Sequence, residues 1–401
     1  MKRWLAILLF AVVTLASLYL CRDLADLGIP PEHRNRLSYV LKGRSPTVSK
    51  LGDPSWSEYG KKSLNSRNPW DITVFDNKVF LGGGDYDKNT GPVTVWFYDI
   101  VTEEWKNSGK VNDEAVMRFV ELDGRLVILG ADPKADWEYG SFYTFIDGKW
   151  ETSRKVPCGV HMFDCVQFDG RTFYAIGTSE GDQSPVQVTA DGMSFSGVDF
   201  LADGVSILKN DTNTFTRCYS FFINGDTLYA FCYRRNTDSV DISFYRFDGT
   251  AFQLVSTSRE LQIKSTVISR QHLFNAWECL DGKAYFSVGN LYATSDFTSV
   301  ELLPTPDGSD VQDIFVFNGE LLILTSLKLE DGTYKNSIKT YTEDSGWGEL
   351  CSFNHEQSAM SFAYSNSSFY VGLGRMVYGT PTQNDPLNGT ILKLSYNDIG
   401  K

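Results

Sequence analysis

Seven loosely similar units follow one another along this chain. Each reads as an apolar strand, a Gly or Asn turn, a second aromatic-rich strand and, in many copies, a Tyr-Asp or Asp-Gly turn before an aromatic residue. The turns stand at Asn77, Gly124, Gly170, Gly225, Gly282, Gly319 and Asn366, with spacings of 47, 46, 55, 57, 37 and 47 residues. A period of roughly 40–50 residues with four short strands per unit is that of four-stranded sheets arrayed around an axis. The residue usage agrees, since 42% hydrophobic and 14% aromatic content favours strands and supplies a sizeable core. A continuous run of repeats stacks into one body, so the length does not argue for several domains.

These units predict an all-β chain built as a single β-propeller, with seven four-stranded blades over residues 46–401. The stretch Pro46 to Leu51 resembles the outer strand that ends other units, such as Trp105 to Val111 and Trp150 to Val156. The last unit's own final strand-like run is Thr390 to Tyr396. An N-terminal strand completing the last blade would remove the exposed edges of an open stack. The short spacing between Gly282 and Gly319 leaves little room for four full strands, which keeps a six-bladed body with an insertion as the alternative.

Residues 1–21 form a hydrophobic N-terminal segment, expected to be helical, with Lys2 and Arg3 ahead of an uncharged run from Trp4 to Leu20. Its 17 residues lie between a signal-peptide core and a bilayer span, so it reads as a signal peptide or a signal anchor. Either implies export, to the extracellular side or to a membrane-anchored position facing outward. Cys21 stands where a lipidated cysteine would, but Leu18, Tyr19 and Leu20 are not the small residues that site uses. Residues 22–45 are polar and mixed, with Pro30-Pro31 against a helix, and read as a stalk. Six further cysteines allow 15 pairings, although most lie in strand-like runs where a buried free thiol is the ordinary state. Triplets starting at Asn210, Asn366 and Asn388 fit the N-glycosylation pattern.

The net charge of −13 is spread along the chain and repels phosphate backbones, which argues against a nucleic-acid partner.

The first unit carries Gly82-Gly83-Gly84 after a β-rich strand, then Tyr98-Asp99 and Trp105, and resembles a kelch repeat. Asp147-Gly148-Lys149-Trp150, Asp191-Gly192-Met193-Ser194-Phe195 with Thr189 ahead of it, and Asp248-Gly249-Thr250-Ala251-Phe252 resemble the Asp-box hairpins of sialidase-like propellers. The resemblance implies a propeller fold, with the boxes stabilising turns far from any chemistry. It implies no activity: Arg118, Arg217 and Arg270 sit in no family motif.

Loops entering the innermost strands should gather at one mouth of the channel. Residues nine to eleven positions before each turn are Asn68, Glu114, His161, His272, Asp310 and His355, with Arg217 eight before its own. Three of the four histidines fall in this ring. His161, His272 and His355 are the candidate ligands of a divalent metal, the one cofactor the pattern admits. One layer deeper lie Asp71, Arg118, Asp164, Asn275 and Asp313. Asp164 and Glu114 are the candidate acid–base residues. The loops carrying Asp85 and Tyr86, and Trp137 and Tyr139, place aromatics beside carboxylates. With Asn275 they form the candidate ligand-binding set, unless the rings pack between blades.

The reading is therefore an exported or membrane-anchored, monomeric propeller that binds a glycan or an envelope protein. The alternative is a metal-assisted polysaccharide hydrolase or lyase at the channel mouth.

Overall fold

The computed structural model describes residues 36–59, 65–85, 88, 90–177, 183–208, 215–235, 240–263, 276–374 and 385–396. The N-terminal segment 1–21 lies outside them. The described chain is almost entirely β, arranged as seven blades of antiparallel strands, with Phe200–Ala202 added in parallel beside the outer strand of blade 4. The innermost strands are Ile72–Phe75, Asp113–Leu122, His161–Phe168, Phe215–Asn224, Trp277–Leu280, Asp310–Phe317 and Ser358–Ser365.

Each innermost strand turns into the second strand through a two-residue hairpin, and every turn read from the sequence is found there. Asp76-Asn77, Asp123-Gly124, Asp169-Gly170, Asp281-Gly282, Asn318-Gly319 and Asn366-Ser367 all have positive φ at both positions. That backbone twist matches the right-handed twist of the strands and is reached cheaply by Asn, Asp and Gly. In blade 4 only Gly225 of the Gly225-Asp226 pair has positive φ, which is the other favoured hairpin geometry.

Blade 5 settles the blade count. Its strands Trp277–Leu280, Lys283–Ser287, Leu291–Thr294 and Glu301–Leu303 are all short, which is how the unit fits its small spacing.

Closure is by the N-terminal strand. Thr47–Gly52 pairs antiparallel with Ile391–Ser395, Thr47 opposite Ser395 and Gly52 opposite Ile391, completing blade 7. Arg67, 3% exposed, locks the join: Nη1 donates to the Asn388 carbonyl and Nη2 to the Asp385 carbonyl, both at 2.7 Å. Asn388 is fully buried and donates to Asn68, so the triplet it begins is closed to glycosylation in this fold.

The stalk reading of residues 22–45 needs correcting at its C-terminal end. A short helix, Leu37–Val40, packs Leu37 and Leu41 into the core shared by blades 6 and 7. The N–H of Ser38 donates to Glu320 at 3.1 Å. Glu320 opens the second strand of blade 6, so the chain enters on the face that carries the hairpin turns. The opposite face carries the connecting residues 53–59, 65–71, 82–85, 133–138 and 157–160, and is the loop face.

Cores lie between neighbouring blades and are dominated by aromatic rings. Phe80, Phe97, Phe119, Phe145 and Trp150 fill the space between blades 1 and 2. Phe222, Phe244, Phe286 and Phe297 do so between blades 4 and 5.

Candidate functional site

Two places concentrate functional side chains: a groove on the loop face between blades 2 and 3, and the channel on the propeller axis.

The groove grows from the loop joining Arg125–Pro133 to Tyr139–Ile146 in blade 2. Arg154, on the outer strand Lys149–Pro157, reaches across it. Its Nη2 donates to the Asp136 carbonyl and Oδ1, both at 2.9 Å, and to the Tyr139 carbonyl at 3.0 Å. The guanidinium beside Asp136 holds that carboxylate below its usual range. Asp136 Oδ1 also accepts the Glu138 N–H, and the Glu138 carbonyl accepts the Cys158 N–H at 2.9 Å. Below, Gly140 and Gly159 run backbone against backbone; a Cβ on Gly140 would collide with the Gly159 carbonyl. The turn that brings Gly159 in places Cys158 at φ +57°, a conformation disfavoured for a residue with a Cβ.

The result is a rigid loop presenting two rings to solvent: Trp137 is 61% exposed and Tyr139 43%. With Glu138, Pro157, Cys158, Val160 and Gln183 they line a groove of about 570 Å³. These two sequence candidates stand at the surface and do not pack between blades.

The other candidates fall differently. Asp85 is 5% exposed; its N–H donates to Thr90 Oγ1 and its carbonyl accepts from Lys88 and Thr90, so it organises its own loop. Glu114 is 8% exposed beside Lys134 at 3.4 Å; burial raises its pKa, with Asp85 adding to the effect and Lys134 opposing it. His161 opens the inner strand of blade 3, with Nδ1 3.2 Å from Asp132 Oδ1 and its ring stacked on Phe163. It adjoins the groove through Val160, whose carbonyl accepts the Asp132 N–H at 2.8 Å. His355 ends the outer strand of blade 6, and its Nδ1 accepts the Gln357 N–H at 3.0 Å, with burial lowering its pKa. His161 and His355 thus sit on blades that are not neighbours. Tyr86, His272 and Asn275 lie outside the described residues. Among the described residues no three His, Cys, Asp or Glu side chains come together as a metal site.

The channel gathers four of the five deeper residues. Arg118 Nη1 lies 3.3 Å from Asp164 Oδ1, and its guanidinium stacks on Trp277 at 4.9 Å. Asp71, Arg118, Glu278 and Asp313 line a cavity of about 280 Å³ with Trp277, Phe315, Phe362 and Tyr364. Burial pushes Asp71 up to about 6 and Glu278 up to about 7, and raises Asp313 well above the usual carboxylate range with help from the Asp71 charge.

Three of the channel carboxyls also tie one blade to the next. Asp71 accepts the Phe119 N–H, Asp164 that of Phe221 and Asp313 that of Phe362. Ser361 Oγ accepts the Ile72 N–H at 2.9 Å and so ties blade 7 to blade 1. Glu278 escaped the sequence register because it stands four residues before its turn, where Asp71, Arg118, Asp164 and Asp313 stand six before theirs.

No family model and no curated protein matches the sequence. Solved structures do share the fold. A streptogramin B lyase structure superposes with a TM-score of 0.51 at 9% identity, over 88% of this chain and 98% of that one. BamB from Moraxella catarrhalis covers 88% of this chain and 99% of its own at a TM-score of 0.40 and 8% identity. The likeness to the lyase structure shows the β-propeller fold alone.

Proposed function

We propose that this chain is an exported or membrane-anchored propeller that binds a glycan in the Trp137–Tyr139 groove. The observation that carries the reading is the pair of exposed rings on a loop fixed by Arg154 and by the Gly140–Gly159 contact. A stacking platform held in place before the ligand arrives loses little freedom on binding. Glu138 and Gln183 beside it are suited to hydroxyl groups, and two rigid aromatics with adjacent hydrogen-bonding groups are the makings of a sugar site. The net charge of −13 favours neutral over anionic glycans.

The apolar run before Cys21 supports export. Because Thr47–Gly52 enters from the hairpin face, an N-terminal anchor would leave the loop face turned outward, towards ligand. The blades themselves are read as kelch-like in blade 1 and Asp-box-like in blades 2, 3 and 4. In blade 3 the Gly192 N–H donates to Thr189 Oγ1 and the Met193 and Ser194 N–H groups to Asp191; in blade 5 Thr294 and Asp296 repeat the pattern.

The test is a glycan array with residues 36–401 beside Trp137→Ala. Binding to neutral oligosaccharides that is lost in the variant supports the reading. Binding that survives the substitution moves the site elsewhere, and retention of an envelope protein without any glycan makes the groove a protein-docking surface.

A further inference from the structure

We infer that Cys218 and Cys232 are the site of a cross-strand disulfide that staples the innermost strand of blade 4 to the strand beside it. The two residues are direct partners in the antiparallel ladder between Phe215–Asn224 and Thr227–Arg235. Both are fully buried in the core between blades 3 and 4, among Phe173, Phe221 and Phe252. Both are free thiols, and that of Cys218 donates to the Ser220 carbonyl at 3.8 Å. No other described cysteine has a cysteine opposite it: Cys165 faces Tyr174, Cys279 faces Ala284 and Cys351 faces Ile338. The ladder therefore selects one pairing from the many that composition permits.

The geometry suits the bond. Opposed residues in an antiparallel pair hold their Cβ atoms about 4.5–5.5 Å apart, and a disulfide asks for about 3.5–4.5 Å. A bulge falls immediately after Cys218, between it and Ser220, and a bulged strand can bend by that amount. Blade 4 also has use for a staple. The connections that flank it, from Gly197 to Phe215 and from Thr257 to Trp277, span 17 and 19 residues, whereas blade 2 follows blade 1 directly from Val111 to Asp113.

The bond forms by exchange. One thiolate attacks the sulfur of an external disulfide, and the second cysteine displaces the resulting mixed disulfide. One protein S–S bond is made, and the external disulfide leaves as two thiols carrying the two protons. Both thiols are closed to solvent in the folded chain, and burial raises the pKa of Cys218, so the exchange belongs to folding. The cellular occurrence of the bond rests on the export proposed above; its chemistry does not.

The test uses the full chain, purified under reducing conditions, unfolded, and refolded in a buffer of oxidised and reduced glutathione. Free thiols are then alkylated in denaturant without reductant, and the digest is analysed by mass spectrometry. The expected product is a peptide pair joining Cys218 to Cys232, lighter by two hydrogens, with Cys158, Cys165, Cys279 and Cys351 alkylated. Its Tm should fall when reductant is added, and Cys232→Ser should not show that fall. Alkylation of both residues, or their appearance in other pairings, would overturn the inference. Localisation of the chain in cells tests export separately.

Discussion

Asp164 in blade 3 accepts the backbone N–H of Phe221 in blade 4 at 2.8 Å, and the same relation links Asp71 to Phe119 and Asp313 to Phe362. Each acceptor serves a strand that carries a bulge: between Val116 and Phe119, Cys218 and Ser220, and Ala359 and Ser361. A bulge takes an N–H out of its own ladder, and a buried N–H left unpaired costs about 1–3 kcal/mol. A carboxylate from the neighbouring blade fills the gap and turns a local defect into a tie between blades.

Asp164→Ala should therefore be among the most damaging single substitutions in the channel. It strands the Phe221 N–H and leaves Arg118 without its 3.3 Å partner. Breaking one side of a buried pair costs about 3–5 kcal/mol. Asp164→Asn keeps an acceptor and should lose less. Urea denaturation measures both, and a loss below about 1 kcal/mol for the alanine variant would show that the tie is ornamental.

The channel also sets a pH dependence. Asp71 titrates near 6 and Glu278 near 7 in the folded chain, above their values of 3.8 and 4.5 when unperturbed. A raised folded pKa means the stabilisation is complete below the unfolded value and is lost as pH rises through the folded one. Between pH 4 and 7 these groups should thus erode stability, Asp71 by at most roughly 2–3 kcal/mol. Asp71→Asn, which cannot ionise but can still accept the Phe119 N–H, should raise Tm at pH 8 and leave it nearly unchanged at pH 4. Equal shifts at both values would rule out ionisation as the cause.

Much of this body was legible in the residues. The hairpin turns were visible because Asn, Asp and Gly are what a two-residue turn with positive φ requires, and the closing strand because its neighbours repeat its pattern. Asp71, Arg118, Asp164 and Asp313 were placed in the channel by counting back from those turns. Counting failed for Glu278, where a shorter strand shifts the register, and for Asp85, which the sequence sets on a loop and the fold turns inward. The role of Arg154 was invisible, because it depends on an outer strand passing beside a loop whose path no local pattern encodes. His355 was displaced for a similar reason: it ends the outer strand of blade 6, while the inner strand of blade 7 begins only at Ser358.

Removing residues 1–52 should convert a closed ring into an associating one. Without Thr47–Gly52 the strand Ile391–Ser395 becomes an unpaired edge, and Ile391 on one face and Leu392 and Leu394 on the other belong to cores that would open. An exposed edge of this kind templates pairing with another chain. Light scattering should show concentration-dependent assembly of residues 53–401, against a monomer for residues 36–401. A monomeric truncated chain with unchanged Tm would mean that Arg67 and its contacts to Asp385 and Asn388 close the ring alone.

The groove makes a sharper demand, because two substitutions should weaken binding for different reasons. Trp137→Ala removes a ring that is 61% exposed, so it should abolish most of the glycan affinity and leave Tm within about a degree. Arg154→Ala removes no ligand contact. It frees Asp136 and the Tyr139 carbonyl, so the loop must be ordered at the moment of binding, at about 0.5–1.5 kcal/mol for each side chain immobilised. Calorimetry on the two variants should show a loss of favourable enthalpy for Trp137→Ala and an added entropic penalty for Arg154→Ala, with affinity in the latter down by about 3- to 30-fold. If Arg154→Ala binds as tightly as the parent chain, the loop's rigidity contributes nothing and the rings alone make the site.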